Sequence, residues 1–153
     1  MQNALRFMRC SIARTDRFRH VPADHASGYR DNGRTFLNAA TLLAELATED
    51  ESYGTAIGLL AVHAAISHAD SVAIARGQRK SIAGSHDSAE QLLVAVLGDD
   101  FPATERRRFL RIISQKDAMA YQGDYVPLDD ARRLLQLAQR FARWAEGMLA
   151  AGR

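Results

Sequence analysis

From Asp31 to the C-terminus, every apolar run in this chain repeats at three- and four-residue spacing and none alternates. That period places apolar side chains along one face of a helix and fits no strand. Phe36, Ala40, Leu43 and Ala47 define a first helix, behind an expected Asp31-Asn32 cap and ahead of the acidic break Glu49-Asp50-Glu51. Ile57, Leu60, Ala61, Ala64, Ala65, Val72 and Ala73 define a second, from about Ser52 to Arg76. Its first half is apolar almost all round, so it is expected at the centre of the fold. Gly54, Gly58, Ala61, Ala65 and Ala69 add a strip of small residues along which another backbone can approach.

A basic connection runs from Gly77 to Ser85. A short helix then carries Ala89, Leu92, Leu93, Val96 and Leu97 and stops at Gly98-Asp99-Asp100. Phe109, Ile112, Ile113, Lys116 and Ala120 share the stripe of a fourth helix starting near Thr104. The fifth begins at Pro127, a residue suited to a first turn, and Leu128, Ala131, Leu134, Leu135, Ala138, Phe141, Ala142, Ala145, Met148 and Leu149 form its broad apolar face. Arg132, Arg133, Gln136, Arg140, Arg143 and Glu146 are expected on its outside. The chain therefore predicts an all-α, up-and-down bundle of four long helices plus one short one, with no sheet.

A chain of 153 residues fits one domain and buries enough surface to need no staples. The lone Cys10 makes no internal disulfide, which suits a reducing compartment, and a cytoplasmic location is expected. The most apolar stretch, Tyr53 to Ser67, is interrupted by His63 and falls short of the roughly 18 residues of a membrane span, so no membrane partner is expected. The net charge of +2 is unevenly placed. Residues 1–30 hold six arginines against Asp16 and Asp24, whereas the rest holds 14 basic and 16 acidic residues. Residues 1–30 read as a weakly ordered basic leader ahead of a bundle over 31–153. A transit peptide, a phosphate-contacting arm or a late start at Met8 are the other readings.

Few residues offer chemistry. His63 and His68 lie five apart, roughly 140° around a helix, so they do not share a metal ion from one face. Each reads as a core or interface histidine. His86 and Glu90 have one-turn spacing beside Asp87, but the paired Glu-x-x-His motifs of a di-metal bundle do not occur, and neither metal nor cofactor is expected. There is no nucleophile elbow, phosphate-binding glycine loop or dinucleotide fingerprint. Arg106, Arg107, Arg108 and Arg111 form a basic cluster that reads first as a solvated helix face and second as a phosphate contact. Lys116 stands on the stripe of Phe109, and Asp117 and Tyr121 face together one turn apart.

Four segments together resemble the HEPN family, helical domains named for nucleotide binding in higher eukaryotes and prokaryotes. They are GLLAVHAAISHADSVAIARGQ, GSHDSAEQLL, QKDAMAYQGDYVPLDDA and LLQLAQRFARWAEGML, and the resemblance spans about residues 36–150. Nuclease members carry an Arg, a polar residue and then a His within four to six residues, at a dimer cleft. Lys116, Asp117 and Tyr121 occupy the matching positions. A phenol of ordinary pKa about 10 is a poor base at neutral pH, where an imidazole serves well. The arginine-to-histidine spacings Arg14 to His20, Arg19 to His25 and Arg79 to His86 fall in the leader or the connection and read as chance.

The resemblance thus implies a homodimer without nuclease activity, binding RNA or a nucleotide, or serving as partner to a nucleotidyltransferase or within a toxin–antitoxin or defence system. Lys116, Tyr121, Arg107, Arg108, Arg111, His63 and His86 are its candidate binding residues. The alternatives are a metal-independent endoribonuclease, with Lys116 and Tyr121 or a nearby histidine in the catalytic places, and a structural module without ligand.

Overall fold

The computed structural model describes residues 17–82, 86–121 and 126–152, without the side chains of 86, 87, 118, 120 and 121. The fold is all-α. Its elements in order are β1 (Phe18–His20), α1 (Ala26–Ala47), α2 (Gly54–Gly77), β2 (Arg79–Ser81), α3 (His86–Leu97), α4 (Ala103–Ile113), α5 (Lys116–Tyr121) and α6 (Leu128–Ala151). Single 3₁₀ turns precede α1 and α2 and follow α3.

The nearly all-round apolar helix α2 is central and packs on α1, α3, α4, α5 and α6. Ile57, Ala61, Val62, Ala65 and Val72 are fully enclosed. Counted over Glu51–Gly77, the helix is longer than the sequence reading allowed and is long and apolar enough to cross a membrane, but 72% of its most apolar window is buried inside the bundle, as in a core helix. Beside it, Phe109 and Phe141 stack at 4.9 Å, and Trp144 bridges Phe141 and Phe101 at 5.3 Å each, adding aromatic contact to area burial.

The small-residue strip is filled from within the subunit. A β-carbon on Gly54 would meet the Val126 carbonyl oxygen, and one on Gly58 would meet the Met119 sulfur. Ala61, Ala65 and Ala69 are buried in the same core. The strip therefore serves the fold and presents no exposed face to a second copy.

Three local expectations differ from the structure: where α1 starts, the absence of a sheet and the continuity of the fourth helix. α1 begins at Ala26, not at the Asp31-Asn32 pair, and Asp31 lies in the second turn, where its carboxylate accepts from the Arg30 guanidinium. Part of the expected leader is thus ordered, and it includes a strand. β1 pairs antiparallel with β2, Phe18 opposite Ser81 and His20 opposite Arg79, where no sheet is expected from the sequence. Three-residue strands are too short to produce an alternation that a sequence pattern registers.

The expected fourth helix is broken. The Ser114 hydroxyl donates to the Arg111 carbonyl at 2.9 Å, and the Gln115 amide turns back to Ile112 at 3.2 Å, which closes α4 with a tight turn before α5 restarts at Lys116. Gln78 takes the left-handed position that ends α2, at φ 50°, with its amide on the Ile74 carbonyl. Gly77 instead lets Val96 of α3 approach, with 2.6 Å from its would-be β-carbon to a Val96 methyl.

Candidate functional site

Two polar regions lie on this scaffold. The first is the corner where α4 turns into α5. Lys116 opens α5 half-buried and Asp117 follows it exposed. Asp117 and Tyr121 lie one turn apart along α5, but the Tyr121 side chain and residues 122–125, which include Gln122, Gly123, Asp124 and Tyr125, lie outside the described residues. Opposite the corner on α2 stands His63, half-buried, with its ring 5.8 Å from and tilted on Phe36 of α1. Burial, and then the nearby positive charge of Lys116, hold His63 below the usual histidine range. The structure thus brings Lys116 and His63 into one electrostatic neighbourhood, a pairing that sequence separation conceals.

The corner is fastened to the start of α2 by its backbone. The Val126 amide donates to Thr55 Oγ1 at 3.1 Å, and the Leu128 amide, the first of α6, donates to Glu51 Oε2 at 2.6 Å. A carboxylate at a helix N-terminus satisfies an amide that has no partner in its own helix and opposes the helix dipole favourably.

The arginine cluster divides in two. Arg106 bonds Glu90, a residue of α3 only 5% exposed, and so ties α4 to α3, whereas Arg108 bonds Glu105 three residues earlier on α4 itself. Arg107 and Arg111 are exposed and one turn apart, and form no ion pair among the described residues. Glu90 is committed to Arg106, and the side chain of His86 lies outside the described residues, as does Cys10. No group of three or more His, Cys, Asp or Glu able to hold a metal occurs among the described residues.

The second region is a cleft of about 760 Å³ between α1, α2 and α6. His68 forms its inner wall at 1% exposure, with Nδ1 2.8 Å from the Ala64 carbonyl oxygen and Nε2 3.5 Å from Glu146 Oε1. Arg34 grips the same carboxylate with both arms of its guanidinium, Nε on Oε1 at 2.6 Å and Nη2 on Oε2 at 2.7 Å. Burial raises the Glu146 pKa, but the hydrogen bonds and charge of Arg34, helped by His68, outweigh that and leave the carboxyl below its ordinary range. Gly33 makes the arrangement possible, because a β-carbon there would sit 2.5 Å from His68 Nδ1. Asn38, Gln139 and Arg143 complete the polar lining over Leu37 and Ala142.

Arg34, Asn38, Gln139 and Glu146 are absent from the sequence-derived site. Glu146 reads as an outer residue of an amphipathic helix and Arg34 as one arginine among many. The one available signal was His68 itself, a polar ring in the most apolar helix, which needs a partner from elsewhere in the chain.

A further buried acid, Asp70 on α2, bonds Lys80 of β2 at 3.1 Å, and the Lys80 ammonium lies 4.3 Å from the Tyr29 ring centre. Burial raises the Asp70 pKa despite the partial counter-effect of Lys80. This group ties the ribbon to the bundle.

No protein-family model matches the chain, and no curated protein matches it in sequence.

Proposed function

We propose that this protein is a HEPN-type, cytoplasmic helical subunit without nuclease activity, which pairs with a second copy and contacts the phosphates of RNA or a nucleotide at the Lys116 corner. In this reading it works beside a nucleotidyltransferase or within a toxin–antitoxin or defence system. The observation that carries it is the position of Lys116, half-exposed at the head of α5, within electrostatic reach of His63, with exposed Arg107 and Arg111 on the helix that leads into it. Arg107 and Arg111, which form no ion pair among the described residues, together with Lys116 place positive charge on the helix leading into the corner and at its head, and positive charge suits a phosphate chain. The sequence at the place of the expected catalytic histidine is Tyr121.

The test is binding of a labelled single-stranded RNA across a salt series. Lys116→Ala is expected to weaken binding and to lower the salt slope by about 1, the signature of one lost phosphate contact. An unchanged slope would remove the corner from the interface.

One observation favours the ribonuclease alternative. His63 is held neutral by burial and by Lys116, and a neutral imidazole beside a cation is a competent proton acceptor. RNA cleavage in EDTA that is lost in His63→Ala would replace the first reading with this one. RNA that is neither bound nor cut would leave the structural module.

A further inference from the structure

Charge is segregated along this chain. Residues 106–116 hold five cations, Arg106, Arg107, Arg108, Arg111 and Lys116, and no acid. Residues 131–145 hold four, Arg132, Arg133, Arg140 and Arg143, again with no acid, although the whole chain nearly balances at 20 basic and 18 acidic residues. The first run is α4 with the head of α5 and the second lies in α6, and these helices pack together through the stacked rings of Phe109 and Phe141. Separate runs in sequence thus become neighbours in the fold.

Several of these cations are engaged within the protein. Arg106 bonds Glu90, Arg108 bonds Glu105, and Arg132 holds the end of α1 through the Ala44 and Thr48 carbonyls. Arg133 has an exposed pair with Asp130, which contributes little, and Arg143 borders the cleft beside α1. Arg107, Arg111 and Arg140 are exposed and form no ion pair among the described residues. Arg107 and Arg111 lie two residues either side of Phe109, about 160° around α4 from that buried ring. Arg140 lies two residues beyond the fully buried Ala138 on α6. Phe109 and Ala138 belong to one core, so all three arginines point away from it, on helices whose axes lie about 8–10 Å apart.

This arrangement selects the form of the polyanion. Single strands are held largely by aromatic side chains on which bases stack. Trp144, the tryptophan of this face, is half-buried and already packs on Phe101 and Phe141, so contacts here go to phosphates. Cations on two helices reach the phosphates of two strands across a groove. Their spacing exceeds the roughly 6 Å minor groove of B-DNA, and two helices side by side, each about 10 Å across, are too wide for its roughly 12 Å major groove. The wide, shallow minor groove of an A-form duplex fits them.

We propose that the α4–α6 face binds the backbone of double-stranded RNA, with Arg107 and Arg111 on one strand and Arg140 on the other. It shares RNA with the reading above but does not use Lys116, and Arg140 has no part in the corner.

The experiment measures binding of a labelled RNA duplex of about 16 base pairs to the intact protein across a salt series. Three phosphate contacts are expected to give a slope of log K against log salt of roughly −3. Arg140→Gln is expected to reduce that slope by about 1, as are Arg107→Gln and Arg111→Gln. Thermal midpoints of these variants are expected to match the parent, because the side chains are exposed and unpaired. Arg79→Gln removes an equal charge from the β-ribbon and is expected to leave binding unchanged. A single strand of the same sequence and a DNA duplex are expected to bind about tenfold more weakly, through loss of contacts to a second strand.

Absent duplex binding, binding that Arg140→Gln does not weaken, or equal weakening by Arg79→Gln overturns the proposal. So does equal or tighter binding of the single strand or the DNA duplex. Lys116→Ala tested on single-stranded RNA decides the corner separately, so either reading can fail while the other stands.

Discussion

A β-carbon added at Gly54 would lie 1.9 Å from the Val126 carbonyl oxygen, at Gly33 2.5 Å from the His68 ring and at Gly58 2.5 Å from the Met119 sulfur. The three distances are alike in kind but the neighbours are not. A fastened backbone cannot yield, a ring hydrogen-bonded to Ala64 yields little, and a thioether end rotates away. Alanine substitution is therefore expected to destabilise in the order Gly54, Gly33, Gly58, by about 1–3 kcal/mol at the first two. At Gly58 the gain in helix propensity, up to about 1 kcal/mol, largely offsets the strain. Gly147 of α6 has nothing within 4 Å, so Gly147→Ala is expected to stabilise by about 0.5–1 kcal/mol. Urea denaturation of the four variants checks the ranking, and a more stable Gly54→Ala would refute the close approach of the corner to α2.

Two residues also set acid sensitivity, in different windows. Glu146 holds its proton less tightly in the fold than its ordinary value of 4.5, so its contribution is present above that pH and is lost as the pH falls through the lower folded value. His63 is likewise lowered from 6.5, so just below that pH the unfolded chain binds more protons and stability falls on acidification. Glu146→Gln is expected to flatten the stability profile below about pH 4.5, and His63→Gln the part just below pH 6.5. Thermal midpoints measured from about pH 2 to 8 distinguish them. An unaltered profile in either variant would refute the corresponding contact.

At the scale of elements, the start of α6 depends on a side chain far away in the chain. Glu51 accepts from the Leu128 amide and Thr55 from that of Val126, so the turn before α2 also caps the entry to α6. Glu51→Ala is expected to cost about 1–2 kcal/mol, the usual loss for a helix cap. Hydrogen exchange of the Leu128 amide should accelerate more than that of mid-α6 amides, and equal acceleration of both would argue against a local cap. The other end of α1 is closed in the same manner by Arg132, whose Nη2 donates to the Ala44 and Thr48 carbonyls at 3.1 and 2.7 Å. In the sequence Arg132 is an outer arginine of an amphipathic helix; in the fold it holds α1 to α6.

At the scale of the whole molecule, the β-ribbon is an attachment to the bundle. Its only share in the main core is partly buried Phe18, while Val21, Ala26 and Ile74 form a smaller cluster beneath it. Deletion of residues 1–20 is expected to leave helical circular dichroism nearly unchanged and to cost about 1–3 kcal/mol, the scale of one partly buried aromatic ring and a few ladder bonds. Collapse of the helical signal would show that the ribbon is required for the bundle.

Helix class, the central place of α2 and the apolar face of α6 were determined by the sequence alone. They rest on periodicity, which is a property of neighbours within a few residues, and burial follows from it. The break at Ser114 and the left-handed Gln78 were less visible, because a serine or glutamine occupies many other conformations as readily. Only the tertiary structure decided which polar groups meet. His63 and Lys116 are 53 residues apart, and Arg34 and Glu146 are 112 apart. Such pairs depend on the relative rotation and register of packed helices, and no local pattern along the chain encodes them.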